Sequence, residues 1–176
     1  SFIDLDKEYT PKGVKKAPPA EALIMGDTHV DFADPAVIKA TFGDGGIVKT
    51  LKPKRLIYHD LLDFYSRNHH HRGDPFAGIA KQQSGKDDVR GEIDRAIAFV
   101  TKYTPKNTEA IIVASNHNDA LSRWINESDW RSDPVNAEVY LETALAMVQS
   151  VKMTKNGKYV VHPFTYWGNK AWGDSV

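Results

Sequence analysis

The chain has 176 residues, 23 of them basic and 23 acidic, a formal net charge of zero and no cysteine. That length suits one domain with a sizeable core, and a balanced charge gives nucleic acid no bulk attraction. The lack of cysteine excludes disulfides, thiolate zinc sites and a thiol nucleophile, so any metal must be held by oxygen and imidazole nitrogen.

The apolar runs are too short to span a bilayer, and the N-terminus lacks the apolar stretch of a signal peptide. No membrane partner and a cytoplasmic location are therefore expected. The first residue is Ser rather than Met, which fits a processed N-terminus or a chain cut from something longer.

Residues 1–20 read as a lead-in segment of alternating charge with a short edge strand at Phe2-Ile3-Asp4, and residues 21–176 as the main domain. Ala22 to Met25 is the first core strand. Asp34-Pro35 opens a helix through Val37, Ile38 and Phe42 that Gly43 stops. Arg55 to Tyr58 is the second core strand. Residues from Phe64 to Gly85 form a long irregular connection of the kind that is functional or holds short helices. From Asp87, Val89, Ile93, Ala96, Ile97 and Val100 share one helical face.

The third core strand starts at Ala110. Strand, helix and strand in this order predict parallel pairing through a crossover. One or two helical turns follow at Ala120 to Ile125. Ser132-Asp133-Pro134 opens a further helix whose stripe at Val139, Leu141, Leu145 and Val148 is read as core. Asn156-Gly157 signals a hairpin turn before a strand from Tyr159 to Phe164.

Each core strand ends in polar residues. The first runs into Gly26-Asp27-Thr28-His29, the second into His59-Asp60-Leu61-Leu62-Asp63 and the third into Ser115-Asn116-His117-Asn118-Asp119. In an open α/β sheet, ligands bind beyond the carboxyl ends of the strands. Three such ends predict one convergent site. Asp27 and His29 lie two apart, so in an extended segment both point to one side and can ligate one ion. Asp60 supplies a carboxylate able to bridge two ions about 3.5–4 Å apart. Asn116 offers an amide oxygen, and His117 is placed to move a proton. These are the parts for metal-assisted phosphoester hydrolysis.

The three motifs resemble, in order and spacing, the Asp-x-His, Gly-Asp-x-x-Asp and Gly-Asn-His-Asp/Glu motifs of the calcineurin-like metallophosphoesterase superfamily. The resemblance covers roughly Ala22 to Asp119. It implies an α/β fold of two sheets flanked by helices, incomplete here at the C-terminus. It also implies two divalent ions, Mn²⁺ first, with Mg²⁺, Fe or Zn²⁺ as alternatives. Asp27 and His29 would hold one ion, Asp60 would bridge, Asn116 would bind the second, His117 would assist the leaving group and Asp63 would orient a histidine. The loop Arg67-Asn68-His69-His70-His71-Arg72 is similar to that of phage-encoded relatives that degrade host DNA. Arg67, His69 and His70 are accordingly candidate substrate contacts, and the host cytoplasm is the expected location.

The chain also departs from the family pattern. His59 and Ser115 stand where the motifs have glycine, and Asn118 stands where an acidic residue is usual. The family's late Gly-His-x-His motif is absent, and His162 is the one later histidine. The chain therefore reads as an N-terminal portion of a longer enzyme or a truncated relative.

Several residues also have plainer readings. Asp60 suits a helix N-cap. Arg67, Arg72 and Arg123 suit ion pairs as well as phosphate, and Trp124 and Trp130 suit core packing as well as base stacking. DNA is the first substrate expected, another phosphoester the second. A non-catalytic DNA- or protein-binding module with a degenerate metal site is the competing class. On either reading, a second copy of the chain or the remainder of a longer chain is a further candidate partner.

Overall fold

The computed structural model describes residues 2–67, 74–153 and 160–173. The lead-in segment is more ordered than its composition suggests. Strands β1 (Phe2–Asp4), β2 (Lys7–Thr10) and β3 (Gly13–Lys16) form an antiparallel meander with two-residue turns, Asp4 pairing with Lys7 and Thr10 with Gly13. The expected edge strand at Phe2-Ile3-Asp4 is present. The other two were hidden because neither carries an apolar/polar alternation: β2 turns the polar Glu8 and Thr10 to its more sheltered face, and β3 is exposed throughout.

The core is built on a parallel sheet in the order β4 (Ala22–Asp27), β5 (Arg55–His59), β6 (Glu109–Ile112). Leu23, Leu56 and Ala110 stand in one register row, and Ile24, Ile57 and Ile111 in the next. Because side chains alternate across a strand, these rows face opposite ways. The first row, with Met25, Tyr58 and Ile112, packs into the hydrophobic core. On the other face Ile24 is 71% exposed.

Helix α1 (Pro35–Phe42) begins at Asp34, whose carboxylate accepts from the Ala36 N–H, and ends at Gly43 as expected. The short α2 (Ile47–Leu51) follows. The long connection after β5 holds a 3₁₀ turn at Tyr65–Arg67 and then α3 (Pro75–Gln83), capped by Asp74. The crossover helix α4 (Val89–Tyr103) buries Val89, Ile93, Ala96, Phe99 and Val100 and ends before Pro105. Its Phe99 ring meets Tyr58 and Phe42 edge-on, which seats α4 on the sheet.

After β6 come α5 (Asp119–Glu127), α6 (Ala137–Met153) and α7 (Pro163–Trp172), with α7 touching α4, α5 and α6. Two expectations are corrected here. The strand expected from Tyr159 to Phe164 is not formed in its described part: residues 160–162 have no regular structure and Pro163 opens a helix, with the His162 side chain accepting from the Phe164 N–H. A proline at that place is preset for a helix start and cannot donate to a sheet.

The α6 stripe is not all core. Val139 and Ala146 are buried, whereas Leu141, Leu145 and Val148 are exposed. Residue 141 is two positions from 139, about 200° around the helix, so the two sets point apart. The buried face continues through Thr143, whose hydroxyl accepts from Trp167 Nε1 at 3.0 Å.

The α/β class is the one expected. The described residues contain two small sheets, but the meander is exposed and contributes nothing to the core cluster, so the helices and one face of the parallel sheet form that core. The Asn156-Gly157 turn lies outside the described residues, and among those that are described no helix is long and apolar enough to cross a membrane.

Candidate functional site

The three polar strand ends meet at one edge of the parallel sheet. Their geometry starts with an irregularity in β4. Ile24 pairs with Ile57, yet Asp27 pairs with His59, so three steps on β4 match two on β5. A bulge of this kind re-aims the side chains beyond it. It sets Asp27 directly beside His59, whose Nδ1 lies 3.0 Å from Asp27 Oδ1 and 3.1 Å from Asp60 Oδ2.

Beyond the sheet the two segments keep running side by side. The N–H groups of Thr28, His29 and Val30 donate to the carbonyls of His59, Asp60 and Leu61. His29, Asp60 and Phe64 all have positive φ, at 40°, 41° and 54°. Such values are uncommon outside glycine, least so for Asp and His, and clusters of them mark constrained sites. The constraint comes from below: Leu61, Leu62 and Phe64 are fully buried on either side of Asp63. Asp31 holds Arg95 of α4 through two bonds of 2.6 and 2.7 Å, which ties down the 3₁₀ turn next to His29.

The left-handed turn at His29 separates it from Asp27. The extended geometry expected of Asp27-x-His29 stops at Asp27, and the residues fall into two trios: Asp27, His59 and Asp60, and His29, Asp63 and His117. In each trio the donor atoms lie within 4.8 Å of one another. In the second trio the His29 and His117 rings meet edge to face at 4.4 Å. His29 Nδ1 is 3.2 Å from Asp63 Oδ1, but not in a hydrogen-bonding direction, and this buried nitrogen has no hydrogen-bond partner among the described residues. His117 Nδ1 lies 3.4 Å from the Asp63 carbonyl. A carbonyl only accepts, so Nδ1 carries the hydrogen and Nε2 is the nitrogen left to exchange a proton.

Asp60 links the two trios. It is 2% exposed, and its Oδ1 accepts from the His117 N–H at 3.3 Å. Burial pushes its pKa up, but the Ser115 hydroxyl, the His117 N–H and the His59 and His117 imidazoles outweigh burial and hold it below the usual carboxylate value. The carboxylate therefore stays ionised in a nearly dry position.

Two departures from the motif pattern thus have structural uses. The Ser115 hydroxyl helps keep Asp60 ionised, and Asn118 joins the second and third motifs. The Asn118 amide oxygen accepts from the Leu62 N–H at 3.3 Å, and its amide nitrogen donates to the Val113 carbonyl at 3.4 Å. Sequence reading missed the roles of His59, Ser115 and Asn118, although each was visible as a departure.

Asn116 is exposed at the same edge, with its carbonyl accepting from Arg123 Nη2 at 3.0 Å. Asp63, anchored between Leu62 and Phe64, lies against both histidines of its trio. Arg67, expected to contact substrate, has its guanidinium closed on the Asp133 carboxylate and the Ser66 carbonyl. The bidentate fork matches carboxylate geometry, and this pairing, with Asn136, outweighs the upward push of burial and lowers the Asp133 pKa. His162 belongs to neither trio: its Nδ1 accepts from Phe164 and its Nε2 donates to Asp119 at 2.9 Å. Trp124 is core, packed on Phe64 and Tyr140, and Trp130 carries the Arg131 guanidinium over its ring. His69, His70, His71 and Arg72 lie outside the described residues.

The donor set suits divalent ions. Carboxylate oxygens and imidazole nitrogens converge, one buried nitrogen is unpartnered, and the bridging candidate is held anionic. A cleft of about 530 Å³ opens beside them, bordered by Asp27, His29 and Asp63 and by the apolar Phe32, Val37 and Ile38.

Comparison with known proteins gives a partial relation. No protein-family profile matches the chain, and no solved structure does. Protein A1 of Escherichia phage T5 is 34% identical over 145 residues, which is 79% of this chain and 26% of that protein. The chain therefore spans about a quarter of that relative's length, and the similarity supports a phage origin.

Proposed function

We propose that this chain carries the metal site of a divalent-metal-dependent phosphoesterase, a phage DNA nuclease acting in the host cytoplasm. The observation that carries the reading is the convergence of two His/Asp trios at the carboxyl ends of three parallel strands, joined through buried Asp60. DNA as substrate rests on the likeness of the histidine-rich loop to phage relatives, and the phage setting on the similarity to Protein A1.

Asp27, His29, Asp60 and Asn116 would hold two ions, with Mn²⁺ favoured because imidazole and carboxylate donors are mixed. When bound, such ions make water acidic near neutral pH and stabilise charge on phosphoryl oxygens. The protein's own residues do the rest. Asp60 stays anionic and fixes the distance between the two trios. Asp63 holds His117 through its carbonyl and sets its carboxylate beside the unpartnered His29 Nδ1. His117, with its Nδ1–H committed to that carbonyl, gives a proton from Nε2 to the departing oxygen when the ring is doubly protonated, and is left neutral with Nδ1–H in place. The open cleft beside Asp27 and His29 gives the substrate access.

The test is Mn²⁺ calorimetry on the whole 176-residue chain alongside hydrolysis of linear and supercoiled DNA and of an aryl phosphodiester. The wild type should bind Mn²⁺ and cleave DNA. Asp60→Ala should lose binding. His117→Ala should keep binding while turnover falls about 10²–10⁴-fold, the usual worth of a positioned acid. Equal loss of metal in both variants would refute the division of roles. Cleavage of the aryl diester but not DNA would move the substrate to a smaller phosphoester, and no Mn²⁺ binding by the wild type would leave a binding module.

A further inference from the structure

We propose that His59 Nδ1 is itself a metal donor, completing with Asp27 Oδ1 and Asp60 Oδ2 one face of a divalent-ion site. This rests on the metal-dependent reading above and adds to it a ligand that the motif pattern does not contain, since the pattern has glycine at that position.

Three observations support it. First, the backbone is built to bring the group there. The irregularity between Ile24 and Asp27 makes Asp27 the register partner of His59, and Asp60 follows His59 in a left-handed conformation that turns its carboxylate back toward the ring. With regular pairing, residue 26, a glycine, would have stood opposite His59.

Second, the spacing is that of ligands sharing an ion. Neighbouring ligands of an octahedral ion with bonds of about 2.1 Å lie about 3.0 Å apart, the bond length times the square root of two. His59 Nδ1 is 3.0 Å from one carboxylate oxygen and 3.1 Å from the other. A hydrogen-bonded imidazole gives similar distances to one carboxylate. It has a single Nδ1–H to share between two carboxylates, however, and here both oxygens stand at nearly the same distance from it. A cation at the common vertex satisfies all three donors.

Third, the site is reachable. The side chains of Asp27 and His59 are 65% and 37% exposed, and that of Asp60 is 3% exposed. The trio is thus an open rim over a buried anion.

The chemical consequence is metal choice. Replacing an oxygen or water ligand by imidazole favours Mn²⁺, Fe²⁺ or Zn²⁺ over Mg²⁺, which prefers oxygen. His59 is thereby a specificity-determining residue as well as a ligand.

The experiment compares wild type, His59→Ala, His59→Gln and Asp60→Ala by calorimetry with Mn²⁺ and with Mg²⁺, and by pulsed EPR of the Mn²⁺-loaded chain, with circular dichroism to confirm folding. His59→Ala should weaken Mn²⁺ binding by at least about tenfold, the lower bound even for losing a group that only orients a ligand. It should remove one imidazole nitrogen coupling from the EPR spectrum and change Mg²⁺ binding less. His59→Gln, which keeps a hydrogen-bond donor, should behave like His59→Ala. Unchanged Mn²⁺ affinity and nitrogen coupling in both His59 variants, with binding still lost in Asp60→Ala, would overturn the role of His59 and leave the metal site standing. Restored binding in His59→Gln with no change of nitrogen coupling would show a positioning hydrogen bond and overturn direct ligation. No Mn²⁺ binding by the wild type would overturn both readings.

Discussion

Asp60 and Glu92 are two carboxylates hidden to nearly the same degree, at 2% and 3% exposure, and both accept backbone N–H groups from a neighbouring turn. Their pKa values nevertheless move in opposite directions. For Glu92 burial dominates and Asp31 adds like charge, so its pKa rises despite bonds from Tyr65 and Ser66. For Asp60 a hydroxyl, a backbone N–H and two imidazoles overcome burial, and its pKa falls.

Burial alone therefore does not mark a site; what surrounds the carboxylate does. Glu92 is a fastener. From α4 it holds the Tyr65 N–H at 2.9 Å and the Ser66 N–H and hydroxyl at 3.2 and 2.7 Å, fixing the turn just beyond Asp63. Asp60 is an anion set beside two imidazoles, open on one side through His59 and Asp27.

The largest effect should come from Asp60. Asp60→Ala should lower Mn²⁺ affinity by more than about 100-fold, beyond what losing an orienting group costs. Asp60→Asn is the folding control, because Asn tolerates the left-handed backbone and keeps an oxygen for the His117 N–H. If Asp60→Asn folds yet loses the metal, the loss belongs to the charge; if it binds Mn²⁺ like wild type, Asp60 is a fastener like Glu92 and the contrast fails.

Glu92→Ala should do the reverse. It strands three donors and should destabilise the fold by about 2–4 kcal/mol, measured by urea unfolding, while Mn²⁺ added at saturation still binds the folded fraction.

The pH dependence of stability should sharpen the contrast further. Glu92 has a folded pKa above its unfolded value. Its contribution is fully present below the unfolded value and is lost as pH rises through the folded one. Glu92→Gln does not titrate, so the stability gap between wild type and this variant should narrow from acidic to neutral pH. A gap that widens would mean that Glu92 is held ionised, as Asp60 is.

Much of this fold was legible because its helices and core strands obey simple periodicities and punctuation. The Asp34-Pro35 start, the Gly43 stop and the one-sided apolar run of α4 all stand where the sequence puts them. The site was legible as three polar strand ends. How they divide was not, because the division depends on a one-residue bulge and a left-handed His29, and neither leaves a signal in residue type. The second and third strands of the meander were missed because polar residues occupy both faces, so no apolar alternation marks them. Trp124 and Arg67 looked like ligand contacts because composition cannot show a partner such as Tyr140 or Asp133 far along the chain. The C-terminal helix was missed although Pro163 after a capping His162 is a start signal; a β-rich run had been given more weight than the proline.

The smallest expected effect carries the same comparison over to apolar residues. Leu121 on α5 is fully buried and Leu145 on α6 is 56% exposed, although both are leucines on helices that flank the core. Leu121→Ala should cost about 2–5 kcal/mol, the usual range for a cavity in a packed core. Leu145→Lys should stay within about 0.5 kcal/mol, as exposed substitutions do, because no neighbour has to rearrange and the lysine stem can lie along the helix with its charge in water. Thermal unfolding of the two variants side by side reads the difference. A large loss from Leu145→Lys would mean that the ridge of Leu141, Leu145 and Val148 is covered in solution, and that the chain buries in an assembly what it exposes alone.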